Sequence, residues 1–362
     1  MRICFFGSSL VSSYWNGAAT YYRGILKEIA ALGNDITFFE PDAFERQAHR
    51  DIDDPPWARV VVYPATPEGW QRALTAAGRS ADLLVKASGV GVFDVELENA
   101  VAEISSRALR IYWDVDAPAT LEAIAGDPAH HLRDAIPRYD LVLTYGGGDN
   151  VVRAYRAAGA RDCVPIYNAL DPTAHHPAQP MAEFTGDLSL LANRLPDREK
   201  RVEQFFINVA QQLPGRKFVL GGAGWDTRPM PQNICKAGHV GTAQHNGFFS
   251  SALATLNVNR DSMARYGFSP PTRVFEAVGA GACLITDAWE GIDHFLEPGT
   301  EVLVAANGDE VAGHLDALDP ARAESIAQRA RTRILAHHTY RHRARQFHNL
   351  LEHMNTRTEA AE

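Results

Sequence analysis

Short apolar runs, each closing in glycine or polar residues, alternate with helical patterns along almost the whole chain. That rhythm admits few folds. Strands buried on both faces and joined by helices build a parallel α/β sheet. Residues 2–6 form such a strand and run into Gly7 and a polar, aromatic loop. Gly17 opens a helix with Tyr21, Tyr22, Ile25, Leu26 and Ile29 at helical spacing, closed at Gly33, and residues 35–39 form the next strand. This is the opening unit of a doubly wound domain. Its loop holds only Gly7 and Gly17, so it is not the glycine fingerprint of a dinucleotide turn and reads instead as room for a ligand.

The unit repeats. Residues 82–86, 109–113, 140–144 and 163–167 are further strands of the first half. Loops at the carboxyl ends of parallel strands gather on one edge of a sheet, where ligands bind. Three of those loops carry unusual residues: Lys86 with Gly89 and Gly91, the pair Asp114 and Asp116, and Gly146 to Gly148. Residues 171–184, rich in proline, histidine and alanine, read as an interdomain linker. The rhythm then restarts with strands at 188–192 and 218–220, a helix at 201–212, and a glycine loop at 221–224. The expected organisation is a first Rossmann-like domain over 1–170, a second over 185–335, a cleft between them, and a basic helix and tail over 336–362 that packs on its own domain or crosses back.

The segment 269–281 carries the chemistry. Ser269 is a good N-cap, Pro270 and Pro271 suit the first helical positions, and the run is helical from Thr272 with Val274, Phe275 and Val278 on one face until the glycines end it. The start of such a helix, in front of a sheet, is a place for phosphate. Glu276 lies about one turn in, within reach of sugar hydroxyls. Diphosphate at the helix start and ribose at the acid make a nucleotide-sugar site; the plain alternative is an ordinary α/β helix with a surface glutamate.

Net charge narrows the partners. At −9 over 362 residues, a large nucleic-acid footprint is not expected. Four scattered cysteines, Cys4, Cys163, Cys235 and Cys283, suggest neither a zinc site nor a disulfide framework. A first strand at the very start and no long apolar run point to a cytoplasmic protein. The segment 335–354 is basic and helical, with Tyr340, Phe347, Leu350 and Leu351 as its stripe. Its cations form a solvated face or, alternatively, a peripheral contact with anionic lipid or an anionic acceptor.

In several stretches the sequence resembles the CgeB-like, spore-maturation type glycosyltransferases, within the two-domain GT-B enzymes. The matching pieces are 16–24, 38–42, 86–91, 113–118, 167–172, 193–198 and 269–276, in the same order and over most of the chain. The resemblance implies transfer of a sugar from a nucleotide-diphosphate donor, a UDP-sugar among them, to the hydroxyl of a small molecule, glycan or lipid-linked acceptor in polysaccharide or glycoconjugate synthesis. It implies no cofactor and no metal, because GT-B enzymes meet the diphosphate with protein cations and a helix end. Neither the acceptor nor the oligomeric state is given by it.

Laid on the residues, the resemblance puts Glu276 on the donor ribose and Ser269, Pro270, Pro271, Thr272 and Arg273 at the diphosphate loop. It puts Arg194 and Arg198, or Lys200 in place of Arg198, among the cations that neutralise the diphosphate, with Asn193 and Gly17 beside the donor. Retaining relatives carry two glutamates eight positions apart, and the first of these positions, which faces the transferred sugar, is Phe268 here. Arg260 reaches the phosphates or pairs with Asp261. Asp114 and Asp116, one residue apart, supply a general base for the acceptor or cap the helix that follows. Lys86 is an acceptor or phosphate contact or a salt-bridged loop residue. The histidine pairs 130/131, 175/176 and 337/338 read as surface or linker residues without ligand spacing. Two other classes fit the same residues: a nucleotide-sugar epimerase or hydrolase that needs no acceptor, and a non-catalytic binding protein that lacks the first glutamate.

Overall fold

The computed structural model describes residues 1–14 and 16–359, with side chains to residue 354. The chain forms two compact units, Met1–Asn168 with the returning segment from Tyr340, and Ala169–Thr339.

The first unit holds a seven-stranded sheet: β1 (Arg2–Phe6), β2 (Asp35–Asp42), β3 (Ala58–Pro64), β4 (Leu83–Ala87), β5 (Leu109–Asp114), β6 (Leu141–Thr144) and β7 (Cys163–Pro165). All pairs are parallel, in the order β3-β2-β1-β4-β5-β6-β7. Phe5 packs its ring on Tyr22, Phe38 and Trp113. The C-terminal helix, Tyr340–Glu359, belongs to this core. Tyr340, Ala344, Phe347 and Leu351 are buried, and Phe347 lies 5.5 Å from Trp113. Its close approach to the Ala19–Ala31 helix runs through Gly24, where a Cβ would stand 2.2 Å from the Tyr340 ring. Arg343 is buried over the ring of Tyr167, whereas Arg341 and Arg345 face solvent.

The second unit holds β8 (Gly186–Leu191), β9 (Phe218–Gly221), β10 (Ile234–Gly238), β11 (Ala252–Asn257), β12 (Leu284–Asp287) and β13 (Leu303–Ala305), again parallel, in the order β10-β9-β8-β11-β12-β13. Both sheets follow the doubly wound order, so each has one point where the winding reverses: between β1 and β4, and between β8 and β11. There the loops leave to opposite faces and open a crevice at the carboxyl ends of the strands.

Two sequence expectations change. The segment 171–184 is not a free linker but part of the second unit, where Asp171 accepts from His175, Leu170 bonds His338, and His175 is only 6% exposed. Ser269 is not the cap of the helix behind it. Its hydroxyl donates to the Gly267 carbonyl, Pro271 occupies the cap position, and the helix runs Thr272–Gly279.

Candidate functional site

At the winding reversal of the second sheet, β8 and β11 release the segments that hold the predicted donor residues. After β8 the chain passes Asn193 and Arg194 and enters the helix Pro196–Val202, which continues as one π turn and a last α turn to Gln212. Asn193 is a brace. Its Oδ1 accepts from the Ala223 amide at 2.9 Å and ties this loop to the one after β9. Gly222 permits that approach, with φ of +120° and no room for a Cβ beside the Ala192 carbonyl.

The cations divide into two groups. Arg194 makes two bonds to Glu199, at 3.0 and 2.7 Å, and Glu199 also accepts from Arg228. Arg260 pairs with Asp197, not with Asp261. Arg201 pairs with Asp287 at 2.5 Å and Asp261 at 3.5 Å. Lys200 is exposed. The phosphate roles expected of Arg194 and Arg260 are therefore met in this structure by carboxylates of the same unit.

Arg198 and Arg273 differ. Arg198 is buried in the first turn of its helix. Arg273 is half-buried and donates to Asn257 Oδ1 at 3.0 Å. Asn257 ends β11 and is held in turn by Asn259 and Thr286. Burial, and then the charge of Arg198, push the Arg273 guanidinium down to about 9, against the pull of Glu276 and Asp287. Arg273 stays charged at neutral pH, so two like charges, Arg198 and Arg273, stand close together with Glu276 and Asp287 as the acids that pull on Arg273. The same place holds the first amides of the Thr272–Gly279 helix, which have no intrahelical acceptor.

Glu276 sits one turn into that helix. It is 7% exposed, and among the described residues its carboxylate makes no hydrogen bond. A buried carboxylate that is not hydrogen-bonded is costly and rare. Beside it lie His175 and His245, their rings 6.1 Å apart. Burial pushes the His245 imidazole below its ordinary range, against the pull of Glu276. The linker reading of His175 is thus corrected: the segment 171–178 folds onto the unit and carries this ring to Glu276. The plain periodicity around His245 gave no signal for it.

Phe268 has a left-handed backbone, φ 42°, and its ring fills the space over Gly291. Its amide donates to the Glu290 carbonyl at 2.6 Å. Ser269 and Pro270 are buried, and Pro271 and Thr272 are half-buried at the helix start.

The first unit does not present its expected residues as drawn. Lys86 has no exposed side-chain surface, and its Nζ donates to the Ala87 carbonyl at 2.6 Å, Asp94 at 2.8 Å and Glu98 at 3.5 Å. The acceptor-side role is corrected: Lys86 is a buried, fully paired core cation. Asp114 is completely buried. Its Oδ1 accepts from Ser88 at 2.7 Å and from the Asp116 amide at 2.9 Å, and its Oδ2 accepts from Tyr155. With both oxygens engaged, Asp114 ties the loops after β4 and β5 to the helix Gly148–Ala157 and is not placed as a general base. Asp116 is half-buried at the N-cap position of the helix Ala117–Gly126, without a side-chain cap bond. Gly17 is exposed, and a Cβ there would meet no atom.

Residues 198–349 match the model of a family described as glycosyl transferase-like. The match takes in most of the second unit and runs on into the returning helix. It supports an enzyme of glycosyl transfer, and solved structures share the GT-B fold of the two units. Sucrose-phosphate synthase from Thermosynechococcus elongatus superposes with a TM-score of 0.72 at 14% identity, over 98% of this chain and 99% of that one. Anabaena HepE in complex with UDP and glucose gives 0.69 at 15%, over 97% and 99%. An alpha-glucosyltransferase in complex with UDP and a 13-mer DNA gives 0.72 at 10%, over 97% and 99%. No curated protein matches the sequence. Among the described residues no helix is long and apolar enough to cross a membrane.

Proposed function

We propose that the second unit binds a nucleoside-diphosphate sugar, a UDP-sugar, and that the enzyme transfers the sugar to an acceptor hydroxyl without a metal ion. The observation that carries this reading is Glu276: a buried carboxylate with no hydrogen bond among the described residues, one turn behind a helix start where Arg198 and Arg273 stand close together. Two ribose hydroxyls would supply the missing donors. Arg198, Arg273 and the first helical amides would take the diphosphate and stabilise it as it leaves. The relatives seen with UDP, and with UDP and glucose, support the choice of base.

The remaining assignments belong to the same proposal. Arg194, Arg260 and Lys200 would reach the phosphates only by leaving their present surroundings. Phe268 replaces the first glutamate of retaining relatives and would meet the transferred sugar with an apolar face. Asp116 is the carboxylate of its pair still suited to an acceptor hydroxyl, and Gly17 leaves space for a ligand. The CgeB-like subfamily, a cytoplasmic location, and contact of the exposed Arg341 and Arg345 with anionic lipid are part of the reading too.

Calorimetry with UDP and a panel of UDP-sugars tests it. Glu276→Ala should lower UDP affinity by about a hundredfold, because hydrogen bonds to a charged group contribute roughly 1.5–3 kcal/mol each. Equal affinity in the two proteins would refute the assignment.

A further inference from the structure

The ring pair beside Glu276 has no part in the donor reading, yet it is built with care. His175 comes from the segment after Leu170, His245 from the first turn of the helix His245–Ser251, and Glu276 from the helix Thr272–Gly279. One ligand atom from each lies within 4.8 Å of those of the other two. His175 and Glu276 are 6% and 7% exposed. The Nδ1 of His245 is buried with no hydrogen-bond partner among the described residues. Three side chains that could each bind a ligand are thus held together, and Glu276 makes no hydrogen bond among the described residues.

The surrounding contacts fix the arrangement. Asn246, next to His245, donates through Nδ2 to the Ala174 carbonyl at 2.9 Å and accepts at Oδ1 from the His176 amide at 3.3 Å. That one side chain brackets His175 on both sides. The His175 amide donates to Asp171 at 2.9 Å. Gly279 lets the Glu276 helix close onto this segment, since a Cβ there would stand 3.0 Å from the His175 carbonyl and 2.3 Å from Leu170.

Two imidazoles and one carboxylate suit a borderline divalent ion, zinc above all, with a fourth position for water; magnesium and calcium prefer all-oxygen sets. Tetrahedral zinc spaces such ligand atoms roughly 3.3 Å apart, so closing the set takes a movement of about 1 Å. We propose that His175, His245 and Glu276 form a zinc site that competes with the nucleotide donor for the Glu276 carboxylate. The competition rests on the donor reading; the ion site does not. A zinc ion there would hold the ribose-binding acid in a second use and shut the enzyme off.

The test uses the full chain, stripped with a chelator and titrated with cobalt(II) and zinc. Cobalt should bind one ion per chain with the visible absorption of a low-coordinate site. His175→Ala and His245→Ala should each weaken binding at least a hundredfold, with circular dichroism confirming the fold. In the wild type, saturating zinc should lower UDP affinity at least tenfold; in His175→Ala that ratio should fall to about one, which also controls for zinc taken up by UDP itself. Cobalt binding that is absent, or equal in the wild type and both histidine variants, overturns the site. Zinc binding with no effect on UDP affinity overturns the competition. Glu276→Gln separates the two readings: retained UDP affinity with lost cobalt binding would refute the donor assignment and leave the ion site standing.

Discussion

The two units share a strand order and differ in how the buried charges of their candidate sites are met. In the first, the charged groups at the strand ends are satisfied from within. Lys86 is met by Asp94 and Glu98, Glu40 by Ser9, Gln47 and the Leu10 amide, and Asp114 by Ser88, Tyr155 and the Asp116 amide. In the second, Glu276 is buried and makes no hydrogen bond among the described residues. A buried charge with its partners in place holds a fold together. One without them leaves a cost that a ligand can remove. The proposed donor site rests on that difference, and it can be broken by substitution.

The largest effect should come from the satisfied side. Lys86→Met leaves Asp94 and Glu98 without their buried cation and should destabilise the first unit by about 3 kcal/mol or more. Denaturant melting should show the loss, and UDP affinity of the folded protein should stay as it was. A loss of UDP binding with unchanged stability would return Lys86 to the ligand site. Glu276→Ala should do the reverse. With no hydrogen bond to lose, its melting temperature should stay within about 2 °C of the wild type or rise, since an uncompensated buried charge is removed. A collapse in stability would show that the acid has a structural partner.

Within the second unit the same logic ranks the arginines. Arg198→Ala should lower kcat by about a hundredfold if it stabilises the leaving diphosphate, because losing one such donor costs roughly 2.7–4 kcal/mol. Arg194→Ala breaks a partly exposed, solvent-screened pair with Glu199 and should leave stability almost unchanged. Its effect on kcat should stay below tenfold. Equal losses for the two variants would mean that Arg194 leaves Glu199 when donor binds.

How much of this could be read in advance follows from what periodicity reports. The central strands were legible because both their faces are buried and their sequence is one apolar run. The strands that escaped, β3, β10 and β13, are all sheet edges. β3 and β10 are only partly buried, and β13 is three residues long. Glu276, Arg198 and Arg273, on which the proposed donor site rests, could be named in advance because one helix and one loop motif carry them. The fate of Lys86 and Asp114 was not. Whether a strand-end charge meets a ligand or a neighbour depends on Asp94, Glu98 and Tyr155, which only the folded chain brings within bonding distance. His175 was hidden for the same reason: a histidine in a proline-rich stretch looks like linker until the stretch docks.

The remaining predicted effect is one of pH at Asp114, and it probes whether the satisfied side is fully satisfied. Burial pushes its carboxyl up to about 6, even against the bonds from Tyr155, the Asp116 amide and Ser88 that favour the charged form. A folded pKa above the unfolded one means that the stabilising form is the protonated one. Its contribution is complete below about pH 4 and is lost as pH rises through about 6. Between pH 5 and 7 the first unit should therefore lose about 1 kcal/mol. Hydrogen exchange of β5 amides, corrected for intrinsic rates and set against β9 in the other unit, would read it locally. In Asp114→Asn this part of the slope should vanish. If wild type and variant lose protection alike, the carboxyl is ionised throughout, its three donors outweigh its burial, and the first unit meets its buried charges at even lower cost than its contacts imply.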